Sequence, residues 1–137
     1  MPEVITVLCV DDEINILNTI RRQLCDVDVK VHGVLSAEEG LRFLRQTQRI
    51  HVVVSDFRMP GMSGIEFLKT VLRERPEASR ILLSGYADAA AVQEALAENK
   101  LCAFLHKPWK AEELVRIVAA AVSSYDAPHP REEVKTA

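Results

Sequence analysis

Carboxylates stand directly after two of the apolar segments of this 137-residue chain. Asp11 and Asp12 follow "VITVLCV", and Asp56 follows the valines of "HVVVS". A buried strand gains nothing from a carboxylate at its end, because that group must be solvated or paired. Two other apolar segments end in groups that can bind anions, Ser84 after "RILL" and Lys107 after "CAFLH". The spacing therefore raises the question of whether these five side chains form one site.

The segments around these residues alternate between strand and helix patterns. Short apolar runs rich in β-branched residues predict strands, and apolar residues three and four positions apart predict amphipathic helices. The predicted strands cover residues 4–10, 29–34, 51–55, 80–84 and 102–106. The predicted helices cover 14–25, a segment capped by Ser36 and Glu39 through Leu44, one capped by Ser63 and Glu66 through Leu72, 89–98 with Asp88 as its cap, and 110–124.

Five strands alternating with five helices predict an α/β fold with a doubly wound, five-stranded parallel sheet. In such open sheets, ligands bind beyond the carboxyl ends of the strands, where the strand order reverses. With the flavodoxin-like order 2-1-3-4-5, this point lies between strands one and three. Asp11, Asp12 and Asp56 would then meet there.

Three converging acids need a compensating charge. Two carboxylates about 4 Å apart repel by roughly 4 kcal/mol at an effective dielectric constant of about 20. A divalent cation and the ammonium of Lys107 would offset that repulsion, and a small set of oxygen ligands favours Mg²⁺ over Zn²⁺. The alternative is that these acids are ordinary residues of strand ends and helix starts, with Asp12 capping the first helix.

Composition excludes several other classes of protein. The net charge is −3 and the basic residues are scattered, so no stripe of charge indicates direct binding of nucleic acid. No apolar run approaches the roughly 18 residues that span a membrane, and no signal sequence is recognised, so we expect a cytoplasmic protein that does not bind membranes. Cys9, Cys25 and Cys102 lie far apart, which favours buried, reduced thiols. Residues 1–125 are expected to form one domain, and 126–137 a disordered tail or the start of a linker.

Four segments carry a resemblance to a known family. "VLCVDDE", "VVVSDFRMPGMSGIEFL", "ILLSGYAD" and "FLHKPW" stand in the order, and close to the spacing, of the receiver domain of two-component response regulators, and the chain resembles that CheY-like family over residues 4 to about 122. The resemblance implies that Asp56 accepts a phosphoryl group from a histidine kinase or phosphotransfer protein and later loses it by hydrolysis. It implies a signalling module rather than an enzyme that turns over a substrate.

The resemblance also implies a role for each residue of the predicted site. Mg²⁺, or Mn²⁺ in its place, would be held by Asp11, Asp12, Asp56 and the backbone carbonyl of Arg58. Lys107 and Ser84 would bind phosphoryl oxygens, so that Asp56, Lys107 and Ser84 form the catalytic set. Ser84 and Phe104 would move together as a switch.

The switch would change the face made by the fourth helix, the fifth strand and the fifth helix. That face would control an output domain or partner protein and could form a homodimer. "LSGYAD" and "KPW" resemble receivers joined to cyclic-di-GMP phosphodiesterase or similar enzymatic outputs. In the family, the bond between Lys107 and Pro108 is frequently cis.

Two other functions remain open at this point. One is a receiver-like interaction module that works without phosphorylation. The other is a phosphohydrolase with Asp56 as its nucleophile, although such enzymes want a second acid two residues later, where Arg58 stands. The side chains of Arg58 and Tyr86 either tune the rate of dephosphorylation or are ordinary surface residues. Trp109 is either an interface residue or a cover over the start of the last helix, and His51 and His106 are interpreted as packing or surface residues.

Overall fold

The computed structural model describes residues 4–85, 88–98 and 101–126. The strands are β1 (Thr6–Val10), β2 (Lys30–Val34), β3 (Val52–Asp56), β4 (Ser79–Ser84) and β5 (Ala103–His106). The helices are α1 (Ile14–Gln23), α2 (Ala37–Gln46), α3 (Gly64–Glu74), α4 (Ala89–Ala97) and α5 (Ala111–Asp126). The predicted alternation of five strands with five helices is confirmed.

The strands form one parallel sheet in the order β2-β1-β3-β4-β5, as predicted. The register places Val10 beside Ser55, and Ser84 beside His106. Because all strands run in the same direction, their carboxyl ends lie along one edge of the sheet. The residues that follow β1, β3, β4 and β5 therefore share that edge.

Two hydrophobic clusters cover the two faces of the sheet. One joins the sheet to α2, α3 and α4, and the other joins it to α1 and α5. Every residue of β3 is buried, which is the pattern of a central strand covered by helices on both faces. β2 is one of the two edge strands and is only half-buried, as its alternating sequence predicted.

The cap predicted at α3 is confirmed, whereas the caps of α1, α2 and α4 differ from those considered above. Ser63 and Glu66 form a complete capping box. Ser36 accepts a hydrogen bond from the Glu39 N–H, but the Glu39 carboxylate binds the Leu35 N–H instead of Ser36. The residue at the cap position of α1 is Glu13, so Asp12 does not cap that helix.

Asp88 stands at the cap position of α4, but its side chain makes no capping hydrogen bond, so the cap predicted there is wrong. Its carboxylate has a different partner, described below.

The prediction of buried thiols holds for Cys9 and is wrong for Cys25 and Cys102, which are exposed. Cys25 follows the end of α1 and Cys102 directly precedes β5, and their exposure is not evident from the sequence. Over the described residues, no helix combines the length and the apolar composition needed to cross a membrane. α5 continues to Asp126, two residues beyond its predicted end. The predicted tail from residue 127 onward lies outside the described residues, as does Tyr86.

Candidate functional site

The three acids predicted to meet do lie together. Asp11 and Asp12 follow β1, and Asp56 is the last residue of the neighbouring strand β3. One carboxylate oxygen from each of the three lies within 4.8 Å of the others. Asp11 and Asp56 are buried and Asp12 is exposed, so the cluster opens to solvent on the Asp12 side.

Lys107, which follows β5, brings a positive charge to the same cluster. Its Nζ lies 2.5 Å from Asp56 Oδ1 and 3.9 Å from Asp11 Oδ2. The Lys107 N–H donates to the Ser84 carbonyl at 2.8 Å, which fixes the chain at the end of β5. The peptide bond between Lys107 and Pro108 is cis. One ammonium thus faces two buried carboxylates.

One oxygen of the cluster lacks a hydrogen bond. Asp11 Oδ1 accepts from the Glu13 N–H at 2.9 Å. Among the described side chains, Asp11 Oδ2 is buried without a hydrogen-bond partner. Since a buried carboxylate oxygen is costly unless it is bound, this atom fits a cation that three carboxylates would share.

Burial also raises the pKa values of the two inner acids. Desolvation raises the pKa of Asp11 to about 6, and the nearby charges of Asp56 and Asp12 add to this, against the Glu13 N–H and Lys107. Desolvation raises the pKa of Asp56 as well, although its hydrogen bond and charge interaction with Lys107 oppose the rise. The folded chain therefore holds charges here that are under-compensated when no cation is bound.

The loop after β3 is held tightly against the end of that strand. A Cβ at Gly64 would stand 2.0 Å from the Asp56 carbonyl oxygen, so only glycine fits. The Gly64 N–H donates to the Phe57 carbonyl at 2.8 Å, and the Phe57 N–H donates to the Leu83 carbonyl at 2.9 Å. These contacts fix the backbone around Asp56.

Ser84 lies at the same edge but does not bind the acids in this conformation. Its hydroxyl donates to the Gly85 carbonyl at 3.1 Å, within its own loop. Phe104 is half-buried against the cluster beneath α4, and its ring meets the His106 ring edge-on at 6.2 Å. The structure thus places the predicted switch pair on adjacent strands, and their motion remains a prediction.

The Arg58 side chain binds a residue that sequence reasoning did not assign to the site. Arg58 Nε and Nη2 donate to Asp88 Oδ1 at 3.0 and 2.6 Å. This ion pair joins the loop after β3 to the start of α4. The sequence indicated a helix cap at Asp88 but not its pairing with Arg58, because the two residues are 30 positions apart.

Two other predicted residues have structural contacts. Trp109 Nε1 donates to Gln23 Oε1 at 2.7 Å, and the ring packs on the cluster beneath α1 and α5. His51 is buried, and its Nδ1 accepts from the Thr6 N–H at 3.1 Å, so its interpretation as a packing residue is confirmed.

The sequence model of one family, described as the response regulator receiver domain, matches residues 7–119. The chain belongs to the response regulator receiver domain family. The hydrogenase transcriptional regulatory protein HoxA of Cupriavidus necator is 40% identical to this receiver over 119 residues, which are 87% of the chain. Those residues are 24% of HoxA, so the chain spans about a quarter of the length of that relative.

Two crystal structures share the fold of this receiver along nearly their whole length. An adenylate cyclase structure from Rhodopirellula baltica superposes with a TM-score of 0.90 at 29% identity, covering 98% of both chains. The signal receiver domain of an HD domain-containing protein from Pseudomonas fluorescens Pf-5 gives a TM-score of 0.83 at 26% identity, covering 90% of this chain and 98% of that one. The prediction of a signalling module with a flavodoxin-like fold is confirmed.

Proposed function

We propose that this receiver is a Mg²⁺-dependent phosphoacceptor in which Asp56 takes a phosphoryl group from the phosphohistidine of a histidine kinase or phosphotransfer protein. The observation that carries the proposal is the convergence of three carboxylates within 4.8 Å, one of which, Asp11, has a buried oxygen with no hydrogen-bond partner in the described part of the chain. A protein that used these acids only for folding would gain nothing from that arrangement, because the acids repel one another.

The residues that would hold Mg²⁺ are Asp11, Asp12, Asp56 and the backbone carbonyl of Arg58, and Mn²⁺ has the same preference for oxygen ligands. When bound, the metal neutralises charge on the transferring phosphoryl group. Among the described residues, Asp11 is hydrogen-bonded through Oδ1 only, so Oδ2, which lies 3.9 Å from Lys107 Nζ, can also face the cation. Exposed Asp12 leaves an open side for water and the incoming phosphoryl group.

In the proposed transfer, a carboxylate oxygen of Asp56 forms a bond to phosphorus while the bond from phosphorus to the donor's histidine nitrogen breaks. The imidazole leaves with its electron pair and takes up a proton. Lys107, already 2.5 Å from Asp56 Oδ1, is placed to bind a phosphoryl oxygen and to offset its charge. In the later hydrolysis, water attacks phosphorus and the Asp56 carboxylate and inorganic phosphate are released.

The proposed output is a change in the face made by α4, β5 and α5. The Ser84 hydroxyl would leave the Gly85 carbonyl for a phosphoryl oxygen, and Phe104 would fill the space beside it. This face would act on an output domain or partner protein, or on a second copy of the receiver. The relatives bear names of different activities, a transcriptional regulator, an adenylate cyclase and an HD domain-containing protein.

An aspartate-nucleophile phosphohydrolase is the less favoured alternative. Arg58 occupies the position where such enzymes want a second acid, and its side chain is bound to Asp88. An interaction module independent of phosphorylation is also less favoured, because the acids, Lys107 and Ser84 all lie at one edge of the sheet.

The test is incubation with a small phosphodonor such as acetyl phosphate, with and without Mg²⁺, followed by intact mass measurement. We expect the mass of one phosphoryl group, dependent on Mg²⁺ and absent in Asp56→Asn. Asp28→Asn is the matched control, since it makes the same chemical change at an exposed acid outside the cluster, and we expect it to be labelled like the wild type. An unchanged mass, or label retained in Asp56→Asn, would contradict the proposal. Steady turnover of a phosphate ester would favour the phosphohydrolase.

A further inference from the structure

We propose that Asp88 is a positioning residue that holds Arg58 in the unphosphorylated receiver, and that a phosphoryl group on Asp56 releases Arg58 from it. The Arg58–Asp88 ion pair would then be a tie between the phosphoacceptor loop and α4. This inference rests on the proposed function, because it concerns the response to phosphorylation at Asp56.

The geometry of the tie is that of a charge-assisted pair. Two guanidinium nitrogens of Arg58 donate to one oxygen, Asp88 Oδ1, at 3.0 and 2.6 Å. The Asp88 side chain is 6% exposed, whereas that of Arg58 is 72% exposed. A carboxylate that is almost fully buried needs a partner, and an exposed guanidinium is free to find another one. The two partners therefore depend on the tie unequally.

Asp88 gives up a second role in order to bind Arg58. It stands at the cap position of α4, where an aspartate normally accepts a backbone N–H of the first turn. Here the side chain makes no such bond, and the backbone angles of −104° and 11° are not extended. α4 also has no acidic residue in its first turn. The carboxylate of Asp88 thus has two uses that compete, the tie and the cap.

Phosphorylation changes this competition at Arg58. The phosphoryl group would be carried by Asp56, two residues before Arg58 in the chain. It adds about one negative charge to that of the Asp56 carboxylate and brings three acceptor oxygens, and Mg²⁺ and Lys107 offset this charge only in part. Because the guanidinium is exposed, it can turn toward the phosphoryl group without losing buried contacts. Asp88 is then left to cap α4, which changes the start of the helix that follows Ser84.

Reciprocity gives the tie a measurable consequence. If the pair exists only before phosphorylation, removing it in advance favours the phosphorylated state by the same factor. The probe is trifluoroberyllate with Mg²⁺, a stable stand-in for the phosphoryl group, titrated calorimetrically into the full chain. Asp88→Asn removes the charge but keeps the size and the capping ability of the side chain. We expect it to tighten binding by roughly 2- to 5-fold, the range of a partly exposed ion pair.

A double-mutant cycle separates the tie from a merely structural role. In an Arg58→Ala background, Asp88→Asn should give no such gain, because no tie is left to remove. The matched control is Glu74→Gln, which breaks the Arg45–Glu74 ion pair between α2 and α3 and should leave the affinity unchanged. Unchanged or weaker binding in Asp88→Asn, or the same gain in the Arg58→Ala background, would overturn the inference.

A measurement on the wild type keeps the inference testable without any variant. Hydrogen exchange of the first turn of α4 should slow when trifluoroberyllate binds, because Asp88 becomes its cap, and unchanged exchange there would overturn the tie. The two proposals fail differently. If the wild type binds trifluoroberyllate but the double-mutant cycle shows no coupling between Arg58 and Asp88, only the tie is rejected. If the wild type neither binds trifluoroberyllate nor is phosphorylated, the phosphoacceptor function is rejected and the tie with it.

Discussion

α3 and α4 follow the two strands that carry Asp56 and Ser84, yet they are held to the receiver in different ways. α3 starts with a complete capping box and buries Gly64, Phe67, Leu68 and Val71. α4 buries Val92 and Ala95, and its cap residue is engaged by Arg58. A signalling site needs one wall that keeps the reacting group in place and one that responds to it. On the function proposed above, α3 is suited to the first task and α4 to the second.

Truncating the main buried side chain of each helix should give the largest difference. Phe67→Ala removes a fully buried ring beneath α3 and should lower the free energy of unfolding by about 3–5 kcal/mol. Val92→Ala, the matching change in α4, removes two methyl groups and should cost about 1.5 kcal/mol. Urea unfolding measures both losses of stability, provided that the free energy of unfolding depends on urea concentration with the same slope in each variant and the wild type. Equal losses would break the comparison.

Two glycines, Gly64 at the start of α3 and Gly85 directly after β4, should also differ in their response to substitution. Gly64→Ala forces a methyl group against the Asp56 carbonyl, so we expect a loss of about 3 kcal/mol and slower phosphorylation as Asp56 shifts. Gly85→Ala meets nothing within 4 Å and should change stability by less than about 1 kcal/mol. Thermal unfolding of both variants tests this. A tolerated Gly64→Ala would show that the α3 loop is not rigid.

The acids of the site repel one another when no metal is bound, and this repulsion should make the stability of the receiver depend on pH. Folding raises the pKa of Asp11 from 3.8 to about 6, so the folded receiver binds more protons than the unfolded chain between these values. Metal-free stability should therefore fall as pH rises from about 4 to 6, by about 1–3 kcal/mol. Urea unfolding in a chelator at several pH values measures the fall, and Asp11→Asn should flatten it.

Mg²⁺ should reverse that loss at pH 7. At a hundred times its dissociation constant, the ion should stabilise the wild type by about 2.7 kcal/mol, with a much smaller effect in Asp11→Asn. Asp28→Asn should behave like the wild type, because that acid is exposed outside the cluster. A pH profile or a Mg²⁺ response that survives in Asp11→Asn would place the repulsion elsewhere.

Removing the cap of α3 should have the smallest effect. Ser63→Ala deletes the oxygen that accepts from the Glu66 N–H at 3.2 Å and should cost about 1 kcal/mol. Thr70→Ala, on the same helix, deletes a hydroxyl that only donates to the Glu66 carbonyl one turn earlier, and should be close to neutral. Chemical denaturation resolves the two. If Ser63→Ala is also neutral, capping does not distinguish α3 from α4.

The sequence by itself determined the fold class and the residues at the edge of the sheet. Apolar runs and helical spacing are local patterns, so they located the elements, and parallel strands must place their carboxyl ends together. Asp11, Asp12, Asp56 and Lys107 were predicted to meet for that reason, and the structure brings them together. A family resemblance added their roles, which remain proposals.

Only the tertiary structure decided which partner a side chain binds when several are possible, and which side chains are exposed. Asp88 carries a cap signal but binds Arg58, 30 residues away, because folding brings the loop after β3 to the start of α4. Cys102 lies between two apolar residues and Cys25 follows one, yet both thiols are exposed. Asp11 Oδ2 is buried with no hydrogen-bond partner among the residues that the structure describes. Such outcomes depend on competition between groups distant in the chain, and no local pattern records that competition.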